Sequence, residues 1–262
     1  MQSQPRSSSI FYISILAIAW LCLGILGLIP ATTARAEPAL PVDLTLVLAA
    51  DSSGSLTRAT HKLQRQGHID ALRHPAFIRA VTTGRHGRVA VAYLEWATSG
   101  KETVVVPMTL ISSAEDAQKF ADRLASADHN RRGYTAIGSA LNRAAELMDD
   151  PRFAPDRRVI DLSANGQSNH GAGPALIRAG LVDQGITING LPIIADQSLS
   201  EGMRLESYFA DCIIGGPGAF YLPVTAQEDY VRILLAKMVY EIAGRRPPPQ
   251  ARILPAAMRN PC

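Results

Sequence analysis

At 262 residues with 47% hydrophobic content, the chain is long enough to bury one full-sized core, and length alone allows one domain or two. Its formal charge is only +3, and removal of residues 1–36, which hold Arg6 and Arg35 and no acid, takes Lys+Arg from 26 to 24 against 23 Asp+Glu. A nearly neutral chain with no clustered basic face excludes nucleic acid as the expected partner.

Residues 1–36 have the pattern of a signal peptide: Arg6, an apolar run from Ile10 to Ile29, Pro30, and Ala34-Arg35-Ala36 before Glu37 as the cleavage site. The mature protein is therefore expected to begin at Glu37 and to be periplasmic or secreted. Membrane attachment is expected only if the run stays uncleaved, since it is long enough to span a bilayer. Cys22 follows Leu21 rather than a small residue, which argues against a lipoprotein anchor. Cys212 and Cys262 remain in the mature chain and would meet an oxidising compartment, which makes them a candidate disulfide; spacing alone leaves the pairing open.

Asp43 to Ala50 is almost wholly apolar, as suits a strand covered on both faces. It runs into Asp51-Ser52-Ser53-Gly54-Ser55, a tight loop carrying one carboxylate and several hydroxyls. Leu56 to Leu72 reads as a helix, and His74-Pro75 interrupts it before a short helical stretch to Val81. Arg88 to Trp96 and Glu102 to Ile111 read as strands around the turn Thr98-Ser99-Gly100-Lys101, an antiparallel hairpin. Ser113 and Asp116 open a helix with Ala117, Phe120, Ala121 and Leu124 on one face. After the polar loop Asp128 to Tyr134, Thr135 stands at the start of a helix patterned by Ile137, Leu141, Ala144, Ala145 and Met148.

Val159 to Ser163 reads as a short buried strand ending at Ala164-Asn165-Gly166. Pro174 to Val182 is expected as helix, Gly185 to Ile194 as strand and Leu199 to Phe209 as a short helix, and Cys212 to Val224 is expected to contain the last strand, interrupted by Gly215 to Gly218. Thr225 and Glu228 are expected to cap a final helix whose Val231, Leu234, Leu235, Met238 and Ile242 face the core. Residues 245–262 form a Pro-rich tail. Alternating strands and helices over residues 37–244 predict one α/β domain, doubly wound, with a mostly parallel central sheet, one antiparallel edge hairpin and helices on both faces.

The loops after the first and fourth strands meet in such a fold if those strands are neighbours. The segments VLAADSSGSL, GYTAIGSAL and VIDLSANGQSN resemble, in the same chain order, the three metal-site segments of von Willebrand factor type A domains. The string from Val42 to Glu241 is most similar to a bacterial group of secreted type A-like proteins of uncharacterised function. The resemblance implies a metal-ion-dependent adhesion site with Asp51, Ser53, Ser55 and Thr135 holding a divalent cation, directly or through water. It also implies one coordination position open for a carboxylate of a partner. Asn165 departs from the pattern, because the family usually has Asp there; the site then has one formal negative charge, which predicts weak metal binding. Oxygen-only ligands favour Mg2+, with Mn2+ and Ca2+ as alternatives.

Enzymatic readings fare worse. Asp51-Ser52 resembles the Gly-Asp-Ser turn of one lipase group, but no His follows His170 and there is no Gly-x-Ser-x-Gly elbow. The six histidines show no His-x3-His pair and read as surface or capping residues. The expectation is a binding module for a protein or other acidic ligand, not an enzyme, with a metal-free scaffold subunit of an envelope complex as the alternative.

Overall fold

The computed structural model describes residues 38–128, 133–195, 197–244, 252–253 and 262. The expected signal segment, Arg131 and Arg132 before Thr135, and nearly all of the Pro-rich tail lie outside the described residues.

β1 (Leu40–Val42) pairs in parallel with β5 (Phe153–Pro155) as a small two-stranded ribbon. β2 (Thr45–Asp51) leads to α1 (Arg58–Arg73), where Thr57 Oγ1 accepts from Thr60 N. His74 ends α1 with extended backbone, as the residue before a proline prefers, and its Nδ1 accepts from Ala76 N to cap α2 (Pro75–Thr82). β3 (Val89–Trp96) and β4 (Thr103–Ile111) form the expected hairpin; Pro107 is tolerated because β4 is an edge strand. α3 (Ala114–Ser126) is capped by Ser113. α4 (Ile137–Met148), β6 (Arg158–Ala164), α5 (Pro174–Asp183) and β7 (Ile186–Pro192) follow. Next come α6 (Leu199–Tyr208), β8 (Phe220–Tyr221), α7 (Tyr230–Ala243) and β9 (Arg252–Ile253).

The main sheet has seven strands in the order β4-β3-β2-β6-β7-β8-β9. β2, β3, β6, β7 and β8 run parallel, and β4 is antiparallel at one edge. β9 adds a second antiparallel pair, with β8, at the other edge, which the sequence reading did not anticipate.

Every residue of β2 and β3 is buried, and alternate side chains enter different cores. Leu44, Leu46, Leu48, Val91 and Tyr93 pack with Leu72, Phe77, Phe120 and Leu234 on one face, under α1, α2, α3 and α7. Val47, Ala49, Ala92, Leu94 and Trp96 pack with Ile137, Leu141, Leu181 and Phe209 on the other, under α4 and α5. This is the doubly wound α/β architecture, with a continuous apolar run where both faces are covered.

Cys212 to Val224 contains a strand, β8, but one of two residues only and not the last: α6 continues into a π-helical turn (Phe209–Ile213) that buries Phe209, Cys212 and Ile213, and Gly216 and Gly218 then turn the chain at φ 93° and 71°. Thr225 and Glu228, expected to cap α7, do not. A 3-10 turn (Gln227–Asp229) precedes it, and Asp229 at the cap position makes no side-chain capping bond. A disulfide joins Cys212 to Cys262, with Cα atoms 5.8 Å apart. Among the described residues no helix is long and apolar enough to cross a membrane.

Candidate metal centre

β2 and β6 pair in parallel from Thr45 opposite Arg158 to Ala50 opposite Ser163, so the loops leaving both strands open at the same edge of the sheet. Asp51 is the last residue of β2 and is fully buried. Its Oδ1 accepts from Ser53 N at 2.7 Å, and its Oδ2 accepts from Asn165 N at 3.4 Å. Ser53 Oγ and Ser55 Oγ share a hydrogen bond of 2.8 Å, and Ser55 Oγ donates to Asn165 Oδ1 at 2.9 Å. Four of the five residues singled out in the sequence thus form one connected group.

Thr135 makes no hydrogen bond to these four among the described residues; its segment is held beside theirs by the loop before it. Gly54 N donates to Gly133 O at 3.1 Å, and a Cβ on Gly54 would stand 3.2 Å from that oxygen, so glycine permits the close approach of the two loops. Thr135 N donates to Asn169 Oδ1 at 2.8 Å, while Thr135 O accepts from Asn169 N and from Ser168 Oγ. The expected role of Thr135 at the helix start needs correction. Ala136 is the residue that precedes α4, without a side-chain cap, and Thr135 lies one position earlier, buried at 3% exposure.

The backbone of Asp51 is supported from below by a residue the sequence reading did not single out. Gln64 on α1 donates from Nε2 to Asp51 O at 2.7 Å and accepts from Ser163 Oγ at 2.8 Å, tying β2, β6 and α1 together under the loop. Its signal was a glutamine on the inward face of an amphipathic helix. Glu95 stands near the end of β3 beside the buried Trp96. It is buried and receives Arg65 Nε and NH2 at 3.0 and 2.7 Å. Arg65 also donates to the carbonyls of Ala127 and Asp128, where the chain leads toward Thr135.

Burial lifts the Asp51 carboxyl from its ordinary 3.8 to about 6, against hydrogen bonds from Ser53 and Asn165 that favour the charged form. Among the described residues no Lys, Arg or His forms an ion pair with it. A buried carboxylate without a cationic partner, flanked by hydroxyl and amide oxygens, suits a hard divalent cation: Asp51, Ser53, Ser55, Thr135 and Asn165 supply oxygen donors only. Beside them a cleft of about 470 Å3, lined by Ser55, Thr57, Asn165, Gln197, Glu201 and Arg204, opens to solvent.

The histidines divide differently from the expectation. His74 caps a helix, but His61 and His68 are buried, and His68 Nδ1 lies 2.8 Å from Gln64 O. His129 lies outside the described residues. His86 lies with Asp43 and Asp156 in a group that could hold a metal ion, at the other end of the strands; no motif marks it, because each member comes from a different loop.

Comparison with known proteins agrees with this fold. A domain of the mussel byssus protein proximal thread matrix protein 1, in a structure with a zinc-occupied MIDAS motif, superposes with a TM-score of 0.55 at 18% identity, over 78% of this chain and 49% of that one. The pilus adhesin SpaC of Lactobacillus rhamnosus GG gives 0.55 at 16% identity, over 79% and 30%. A von Willebrand factor type A protein of Catenulispora acidiphila gives 0.50 at 15%, over 77% and 42%. The chain thus spans half or less of the length of these proteins, and at such identities the likeness concerns the fold. No curated protein matches the chain. Residues 41–246 match the family model described as protein of unknown function (DUF1194). The chain belongs to this DUF1194 family, and its fold is that of a von Willebrand factor type A domain.

Proposed function

We propose that the mature protein is a periplasmic or secreted binding module, not an enzyme, that recognises a protein or other acidic ligand through a divalent cation held by Asp51, Ser53, Ser55, Thr135 and Asn165. The observation that carries this reading is the hydrogen-bonded chain Asp51–Ser53–Ser55–Asn165 around a buried carboxylate that has no cationic partner among the described residues, next to an open cleft. A hard cation there would neutralise Asp51, and with only one acid in the group it would keep a strong attraction for a carboxylate from outside. Mg2+ fits the oxygen donors best. The zinc-occupied site of the mussel protein and the presence of this fold in a pilus adhesin support metal-dependent adhesion as the class of function.

Ser52, the position that a lipase-type mechanism would use, instead donates its Oγ to Trp96 O at 3.0 Å and has no histidine partner among the described residues. The secreted location rests on the Ala34-Arg35-Ala36 pattern and fits a chain carrying the Cys212–Cys262 disulfide. One observation favours the scaffold alternative: the Ser53–Ser55–Asn165 hydrogen bonds are complete among themselves, and Asn165 leaves a single formal negative charge.

The two readings separate in a capture experiment. Mature protein on a surface should retain envelope components in Mg2+ and release them in EDTA, and Ser53→Ala and Thr135→Ala, checked for native circular dichroism, should each lose retention. Retention that persists in EDTA and in both folded variants would establish the scaffold.

A further inference from the structure

At the amino ends of the same strands, a second group of ligand atoms converges. Asp43 precedes β2, His86 precedes β3 and Asp156 precedes β6, so parallel pairing brings their loops to one edge of the sheet. With eight residues of extended chain between Asp43 and Asp51, this edge lies about 26 Å from the site described above. One oxygen from each carboxylate and a ring nitrogen of His86 all lie within 4.8 Å of one another.

The loops that carry these groups are fixed by backbone. Asp43 is buried; its Oδ1 accepts from His86 N at 2.9 Å and its Oδ2 from Arg88 N at 3.2 Å, which orients the carboxylate and leaves each oxygen a second lone pair. Asp156 N donates to Val42 O at 2.9 Å. His86 Nε2 is shielded from solvent, makes no hydrogen bond among the described residues, and lies 3.3 Å from Asp156 Oδ2. Adjacent ligands on a tetrahedral ion with bonds near 2.1 Å stand about 3.4 Å apart, so this pair already has the required spacing. A cavity of about 350 Å3, lined by Asp43, Thr83, Gly84, Arg85, Asp156 and Arg157, adjoins the group and gives water access to a further coordination position.

We propose that Asp43, His86 and Asp156 form a second metal site, at the end of the sheet opposite Asp51, that takes zinc and its transition-metal neighbours. An imidazole nitrogen with two carboxylates selects such ions over Mg2+ and Ca2+. The simpler reading is that His86 and Asp156 form an ion pair, with Arg85 NH1 3.8 Å from Asp156 Oδ2 as a further charge. Arg85 is 79% exposed and can turn away. Arg157 is held by the carbonyls of Glu241 and Ile242 at 2.7 Å each, so its charge stays nearby and weakens the site without blocking it.

Calorimetric titration with ZnCl2 at pH 7.5 tests this in wild type, Asp51→Asn, His86→Ala and Asp156→Asn. Asp51→Asn removes the acid of the other site and should retain one zinc equivalent, with a melting temperature that rises when zinc is added. His86→Ala and Asp156→Asn should each lose that equivalent or bind it at least about tenfold more weakly; Asp156 is exposed enough that its variant should fold even if His86→Ala does not. Unchanged zinc stoichiometry and affinity in a folded His86→Ala or Asp156→Asn, or the absence of zinc binding by Asp51→Asn, would overturn the site. None of these outcomes bears on Mg2+ binding at Asp51.

Discussion

The sheet carries two groups of buried carboxylates that meet their electrostatic cost differently. Asp161 on β6 and Glu241 on α7 share Lys237, whose Nζ lies 2.5 Å from Asp161 Oδ1 and pairs with Glu241 Oε1; Asn189 Nδ2 adds a hydrogen bond to the same Glu241 oxygen at 2.9 Å. All three charged side chains are almost fully buried. Burial and the neighbouring Asp161 nevertheless push Glu241 up, against the pull of Lys237 and Asn189. Asp51 is buried as deeply, but its partners are two backbone N–H groups, and its pKa rises to about 6. The chain supplies the cation in the first group. In the second it supplies a ring of oxygens, which is an arrangement for a cation taken from solution. On the proposed function, the first group is structural and the second is the one that binds.

Lys237→Met should break the contrast most severely. It leaves Asp161 and Glu241 buried without a counterion, and loss of one partner from a buried pair costs about 3–5 kcal/mol. Urea unfolding would show this, and a loss under 1 kcal/mol would mean that the group is hydrated in solution. The Asp51 side of the comparison predicts the opposite sign. Because its folded-state pKa of about 6 exceeds the ordinary 3.8, folding takes up a proton between those values, and the carboxyl's contribution to stability falls as pH rises through that window. In EDTA, Asp51→Asn should therefore be more stable than wild type above pH 6 by up to about 3 kcal/mol, with the gain vanishing near pH 4. A gain that is independent of pH would show that the buried charge is not its source.

The same contrast explains what could be read from sequence. Asp51, Ser53 and Ser55 are neighbours in the chain, so their chemistry was visible in one loop, and Thr135 and Asn165 followed from segment order. Lys237 and Glu241 stand at helical spacing beside Leu234 and Met238, yet periodicity treats charged residues as solvent-facing, and their burial depends on Asp161 from another strand. Asp43, His86 and Asp156 were invisible for the same reason, since strand pairing alone assembles them. The π-helical turn at Cys212 was hidden because Cys212, Ile213 and Ile214 form an apolar run, and a short apolar run suits either helix or strand. In contrast, the long apolar strands β2 and β3 and the hairpin β3–β4 were legible, because burial on both faces and a Gly-containing turn are local signals.

The central claim is that Asp51 anchors a cation from solution, and Mg2+ titration of the mature protein at pH 7.5 tests it most directly, followed by calorimetry in parallel with Asp51→Asn and Asn165→Asp. Wild type should bind one Mg2+ weakly, with a dissociation constant of about 0.1–1 mM. Asn165→Asp, which restores a second acid, should bind about tenfold more tightly, and Asp51→Asn should not bind. Equal Mg2+ affinity in wild type and Asp51→Asn, or no binding by either wild type or Asn165→Asp, would contradict the account.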